Sequence, residues 1–413
     1  MRLIDVAIIG AGQAGLAMSR CLAVLGIGHA IFDRGRVAER WRTTAWDSLR
    51  MLTPNWINGL PWQPYDGADP HGFMTRNETI AFLERYAASF GAPVFERTPV
   101  MSLAADGSAF RLQTPDGAWR ARAVVVATGH CDRAFIPSIA GRLSVDIASL
   151  HSSQYRSPGV IPDGGVLVVG SSPSGLQIAE ELRRAGRKVI LSSGAHTRVP
   201  RRWRGHDIFW WLSRLGKFSQ RASEVADLDA EIRQPNVQLA GRPDHSDCDL
   251  PLMQALGIRL AGRVDGVEGG HVFFRDDLAE SVTSADQRMA HILAAIDRFD
   301  GRPTNIGNID FRRVDLAAND APHMLSLRNE NIRTVIWATG FRRAFPWIDL
   351  PVLRQDGEIR QTGGVTAVPG LYTLGFRFQC KRDSHFFGGV GTDALEIAGH
   401  VARFLGASLR QAA

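Results

Sequence analysis

Residues 5–33 read DVAIIGAGQAGLAMSRCLAVLGIGHAIFD, and residues 165–193 read GVLVVGSSPSGLQIAEELRRAGRKVILSS. Each begins as a short apolar, β-branched run, turns through glycines, continues with helical periodicity and ends in a second apolar run. In the first segment Gly10 permits a tight turn, Gly12 lets backbone approach a pyrophosphate, and Gly15 lets helix and strand pack closely. The free N–H groups of Gln13, Ala14 and their neighbours at the helix start face an anion. Asp33 stands at the tip of the second run, where a carboxylate accepts from ribose hydroxyls and repels a 2′-phosphate. The segment therefore reads as a dinucleotide site, expected to hold FAD.

The second segment repeats the pattern as Gly170, Ser171, Ser172, Pro173, Ser174 and Gly175, and the 23-residue interval from Gly10 to Asp33 recurs from Gly170 to Ser193. Ser193 replaces the carboxylate, and His196, Arg198, Arg201, Arg202 and Arg204 follow it. Removing the repulsion and adding cations suits a 2′-phosphate, so this unit is expected to hold NADPH; a solvated basic loop is the competing reading. Ser172 in place of a middle glycine puts a small side chain where the backbone would approach the phosphates.

Two further apolar runs, AVVVATGH (123–130) and TVIWATGF (334–341), end in the same Ala-Thr-Gly and read as exits from nucleotide-binding units. One precedes the second fingerprint and the other follows it. The expected architecture is α/β, with two Rossmann-like dinucleotide-binding domains and the NADP domain inserted into the FAD domain. The expected limits are 1–155 for the first part of the FAD domain, 156–330 for the NADP domain with a substrate-facing insertion, and 331–413 for the second part. The segment GGVGTDALEIAGHVARFL (388–405) reads as a glycine-led amphipathic helix. Its N-terminus, at Gly391, either faces the flavin's pyrimidine edge or simply closes the core.

Hydrophobic residues at 45% and charged residues at 22% place the 413-residue chain among globular proteins of two or three domains, not among disordered ones. The 48 basic residues exceed the 42 acidic ones by only six and form no like-charge run, so no nucleic-acid partner is expected. Cys21, Cys131, Cys248 and Cys380 lie far apart, which provides neither a zinc cluster nor a paired dithiol; no metal site is expected, and a thioredoxin-type disulfide reductase is excluded. No apolar run approaches the ~18 residues of a membrane span, and the expectation is a cytoplasmic protein, with a homodimer possible.

On these motifs the chain resembles the class B flavin-dependent monooxygenases, especially the bacterial CzcO-like flavoproteins and the plant YUCCA-type enzymes. The resemblance spans essentially the whole chain. It is carried by GAGQAG, by Glu39-Arg40-Trp41 followed by WDSLRMLTP (46–54), by ATGH, by HSSQY (151–155) before GSSPSG, by ATGF, and by LYTLGF with TDALEIA. It implies that NADPH reduces FAD, that O2 adds at the flavin C4a position, and that the peroxyflavin gives one oxygen atom to a small organic substrate. It also implies FAD contacts at Gly10, Gly12, Gly15, Asp33, Trp41, Thr128 and Gly129, with Arg34 and Arg40 nearby. NADP contacts would come from Gly170, Ser172, Ser174, Gly175 and the 198–202 arginines, and Thr339, at the second exit, is a further cofactor-binding candidate.

Two departures stand out. Of the family's F-x-G-x-x-x-H-x-x-x-Y signature the chain keeps His151 and Tyr155 but has Val145 and Ile147 for Phe and Gly. Where flavin monooxygenases carry an Asn beside the flavin, Leu52 and Thr53 stand here, with Asn55 shifted. Thr53 either donates a hydrogen bond at the flavin or caps a turn; Thr53, Asn55 and His385, the last within the charged stretch RFQCKRDSHFFGG (377–389), are the catalytic candidates. The aromatic, basic segment RRWRGHDIFWWLSRLGKF (201–218) walls a substrate cleft, lies on a membrane surface or packs a domain interface. Residues 257–274 read as a hairpin, and a long helix is expected from Leu278 to Arg298. Two alternatives to oxygen insertion stay open: an NADPH oxidase or reductase, and a flavin redox sensor linked to ion transport.

Overall fold

The computed structural model describes residues 1–317 and 319–406. Its centre is two sheets, each built around one fingerprint. In the first, Arg2–Ile9 lies between His29–Phe32 and Gly117–Val126, both parallel to it, and Leu371–Thr373 returns parallel to Gly117–Val126. An antiparallel meander through Ala109–Thr114 and Ser102–Asp106 extends that side, and Ile348–Asp349 caps it. The second sheet is wholly parallel, in the order Arg259–Ala261, Val189–Ser192, Gly165–Val169, Ile332–Trp337, Ala148–His151. Strands from both ends of the chain complete the first sheet while the second forms entirely between them, so the chain is an α/β protein with one Rossmann-like unit inserted into another.

The strands read as continuous apolar runs because both faces of each sheet are covered. Val166, Leu167 and Val168 are all at most 1% exposed. The helices Gln13–Val24 and Phe387–Leu405 pack together over the first sheet through Leu16, Met18, Ile397 and Val401. Pro173–Arg184 covers one face of the second through Leu176, Ile178 and Leu182. The hairpin is Val264–Glu268 with His271–Phe274, joined by Met324–Ser326, and the long helix runs Leu278–Phe299.

Sheet membership cuts across the limits read from the sequence. Ala148–His151 and Ile332–Trp337 both belong to the inserted sheet, because Ile332–Trp337 pairs with Gly165–Val169 and Ala148–His151 in turn covers the far edge of Ile332–Trp337. We propose limits of 148–337 for the inserted unit, with 1–147 and 338–413 on either side; positions 407–413 lie outside the described residues.

Both fingerprints are held by the same contacts. Gly10 has φ +115°, and a Cβ there would lie 2.5 Å from Ala127 O; Gly170 has φ +109°, and its Cβ would lie 2.5 Å from Ala338 O. A methyl on Gly15 or Gly175 would come within 1.8 Å of the Gly10 or Gly170 carbonyl oxygen. Gly12 differs, since a Cβ there meets nothing within 4 Å, so the protein's own packing makes no demand for glycine at that position. Gly175→Ala is expected to destabilise the protein by about 1–3 kcal/mol, read as a lowered urea midpoint. Gly12→Ala in the cofactor-free protein should leave that midpoint in place. An unshifted Gly175→Ala midpoint would contradict the close packing.

Candidate active site

A cavity of about 540 Å³ opens at the carboxyl ends of the first sheet's strands, where it faces the inserted unit. Gly10, Gly12, Gln13, Ala14, Asp33, Arg34, Arg40, Trp41, Thr128 and Gly129 all line it. Gly15 stands behind the wall, against Gly10. From the inserted side come Ser152, Ser153 and Ser174, with Phe341 just beyond its last strand. The two fingerprints therefore open toward one space.

Each wall group has a physical reason for its place. The Asp33 carboxylate accepts from Ala11 N–H at 2.7 Å and from Gly35 N–H at 2.8 Å. Burial raises its pKa, and those two donors oppose the rise. Arg40 donates through Nη1 to the Asp132 carbonyl at 2.8 Å, while its Nη2 is buried with no partner. Burial lowers the Arg40 pKa, the mark of a cation short of compensation. Arg34 pairs with Asp132 at 2.8 Å on the cavity's margin. A guanidinium with one buried nitrogen lacking a partner, a free helix N-terminus and a bare Gly12 together fit a pyrophosphate, and Asp33 fits a ribose. The residues present thus suit FAD.

His130, on the cavity wall, meets His385 edge to face with ring centroids 5.0 Å apart. Burial, reinforced by Arg343, Arg377 and Arg40, pushes the His130 imidazole down to about 4, and burial holds His385 well below its ordinary value. His385 Nδ1 is buried without a partner, and its carbonyl accepts from Gln13 Nε2 at 3.3 Å. Two neutral imidazoles thus stand beside the cavity at neutral pH. Cys131, also on the wall, has its thiol raised by burial to about 11, so it is not a ready thiolate.

Several expectations are corrected. Thr53 is buried and donates to Asn58 Oδ1 at 2.6 Å, holding its own loop. Asn55 spends both ends of its amide on the backbone, donating to Asp69 O and accepting from Met74 N–H. Neither lines the cavity, and His385 stands behind its wall, against His130 and Gln13. At the C-terminal segment the wall residue is Gly375; Gly391 packs on Pro61 instead.

In the inserted unit, Ser193 is fully buried with its Oγ 2.6 Å from Ser171 Oγ. Thr339 donates to the Phe135 carbonyl. Arg198 is locked between Asp249 at 2.8 Å and Asp286 at 2.7 Å. Arg201, fully buried, grips Asp207 through Nε and Nη2 and the Leu52 carbonyl through Nη1 at 2.9 Å. Arg202 is exposed and donates to the Gly205 carbonyl. Arg198 and Arg201 hold the fold together. The second turn still leaves its helix start available, because Ser172 caps Pro173–Arg184 without using its side chain and Ser174 reaches the cavity. Those residues suit a second nucleotide's phosphates.

The aromatic segment is interface packing. Phe209 and Trp211 are buried against Met289, Leu293 and Ile296 of the long helix, and Leu52, Trp56 and Ile57 close on them from the first unit. Arg377, Lys381 and Arg382 are likewise engaged, with Gln234 O, with Asp383 and with Glu231. His130, Ser152, Ser153 and Gly375 are among the wall residues not singled out for the site, although ATGH, HSSQY and LYTLGF contain them.

A profile of the pyridine nucleotide-disulphide oxidoreductase family matches residues 7–208. An uncharacterized CzcO-like oxidoreductase of Geobacillus kaustophilus is 32% identical over 395 residues, covering 95% of this chain and 96% of that protein. Rice indole-3-pyruvate monooxygenase YUCCA1 is 26% identical, covering 95% of this chain and 89% of its own. Among solved structures, the flavin-containing monooxygenase of Stenotrophomonas maltophilia superimposes with TM-score 0.67 at 20% identity, over 98% of this chain and 99% of that one. The chain belongs to the class B flavin-dependent monooxygenase family. It is an FAD- and NADPH-dependent monooxygenase, an oxidoreductase, and the disulphide in the profile's name finds no counterpart in its four free cysteines. Among the described residues no helix is long and apolar enough to cross a membrane.

The histidines make the family member's stability acid-sensitive. His196, like His130, is pushed down to about 4, chiefly by burial. The unfolded chain takes protons on both near pH 6.5 while the folded chain waits until about pH 4, so acid favours unfolding across that window. The urea midpoint is expected to fall as pH drops from about 6.5 to 4, and to fall less steeply in His196→Gln. Parallel pH profiles for the two proteins would contradict the shift.

Proposed function

We propose that the chain binds FAD at the Gly10–Gly15 turn and NADPH at the Gly170–Gly175 turn, and uses O2 to insert one oxygen atom into a small apolar or heteroatom-bearing organic molecule. The observation that carries this reading is the shared cavity, lined by Gly12 and Gln13 from one turn and Ser174 from the other. Electron transfer between two nucleotides requires such a common space.

FAD, reduced by NADPH, supplies the electrons and the ring at which dioxygen is activated. The protein's part is binding, orientation and exclusion of water. The first helix start and Arg40 would hold the pyrophosphate, and Asp33 would hold the adenosine ribose. Gln13 ties the first turn to the 380–386 segment through the His385 carbonyl. The neutral His130 and His385 rings bring no proton-donating imidazolium to this wall. A flavin bound here would therefore meet no charged proton donor from these two rings.

The test is to reduce the FAD-loaded protein anaerobically with NADPH and mix it with oxygenated buffer in a stopped-flow spectrometer. A long-lived, blue-shifted flavin species is expected before the oxidised spectrum returns. Immediate reoxidation with stoichiometric hydrogen peroxide would make the chain an NADPH oxidase. Arg40→Ala is expected to weaken FAD binding at least tenfold, from loss of a charge-assisted contact worth about 1.5–3 kcal/mol, measured by titrating the apoprotein. Unchanged affinity would remove Arg40 from the phosphate site.

A further inference from the structure

In the basic run that follows the strand tip at 192–194, Arg198 is held by Asp249 and Asp286, Arg201 by Asp207 and Arg204 by Asp297, while the exposed Arg202 is turned to the Gly205 carbonyl. His196 is neutral, with its Nδ1 3.0 Å from the Gly194 carbonyl oxygen. A different arginine occupies the place. Arg259–Ala261 runs parallel to Val189–Ser192 with Ala261 opposite Ser192, so Arg263 emerges on the same sheet edge as Gly194. A Cβ on Gly194 would lie 2.9 Å from Arg263 Nε and 3.0 Å from its Nη2. The guanidinium rests on backbone that only glycine leaves bare.

Resting on the reading of the inserted unit as the NADPH site, we propose that Arg263, from the neighbouring strand, selects NADPH over NADH by gripping the 2′-phosphate. Three observations make it suitable. Its side chain is 51% exposed, and its ion-pair partner Asp277 Oδ2 stands 3.9 Å away, so it is not already neutralised at close range. No carboxylate stands at the strand tip, where Ser193 is turned inward to Ser171. Arg288, exposed on the long helix, donates to the His196 carbonyl at 2.6 Å and adds a second cation at the same turn. A planar fork laid on an open backbone is the geometry that a phosphomonoester accepts in two parallel hydrogen bonds.

The test measures binding rather than turnover. NADP⁺, NAD⁺ and 2′,5′-ADP are titrated into the FAD-loaded protein and its variants by calorimetry, with circular dichroism to confirm folding. Arg263→Gln is expected to weaken NADP⁺ and 2′,5′-ADP at least tenfold and leave NAD⁺ within twofold. Gly194→Asp, which sets a carboxylate where the guanidinium rests, should abolish the preference for NADP⁺. Arg202→Gln should bind as the parent does. Full NADP⁺ preference in Arg263→Gln would overturn the assignment while leaving the nucleotide reading in place. A parent protein that binds NADP⁺ no better than NAD⁺ would overturn both.

Discussion

Each glycine-rich turn exists because a carbonyl from a neighbouring strand end is driven against the turn's first glycine. Ala127 N–H donates to Ile9 O at 2.8 Å, and Ala338 N–H donates to Val169 O at 2.8 Å, bringing the Ala127 and Ala338 carbonyls onto Gly10 and Gly170. On the other side Gly10 N–H bonds to Phe32 O and Gly170 N–H to Ser192 O. A turn clamped between two strands cannot drift, so the helix that follows starts at a set place and direction. That is why an Ala-Thr-Gly exit recurs in step with each fingerprint. The exit strand forms one wall of the turn it serves.

Charge in the inserted unit obeys a different economy. Drawing Arg198 away to bind a phosphate would strand Asp249 and Asp286 in the interior, and breaking a buried pair costs roughly 3–5 kcal/mol. A half-exposed pair such as Arg263 with Asp277 is worth about 0–1 kcal/mol. A ligand phosphate therefore finds Arg263 far cheaper to recruit. Burial, more than proximity in the chain, decides which arginine is available.

The same distinction marks how far the sequence was legible. Fingerprints, exits, the hairpin and the long helix could all be read, because each is a local pattern of period and punctuation repeated at a recognisable interval. Ten of the FAD-side residues named from sequence reach the cavity, since they belong to the turns and strand ends that the topology itself places there. Arg198 could not be assigned, because its partners Asp249 and Asp286 are far away in the chain, and Arg201 could not because its burial against the Leu52 carbonyl is set from the other unit. Asn55 looked free for the same reason; Met74 N–H and the Asp69 carbonyl meet it only after the loop closes. The aromatic segment 201–218 could be read three ways until the long helix and Trp56 were seen to cover it.

Arg201 also explains how two separately built units come to share one cavity. Its guanidinium lies 4.8 Å over Phe73 and 5.2 Å over Phe209, bonded at once to Asp207 of its own unit and to Leu52 of the other. Beside it a Cβ on Gly241 would come within 2.0 Å of Met51 O, so the backbones touch with no side chain between them. An interface this close has few alternative packings, because a shift of even one carbon diameter would open a void or a clash. The spacing between the two turns is then a property of the folded chain rather than something the nucleotides must impose. The energy of binding them can go into orienting their rings, which is the part of the reaction where position matters most.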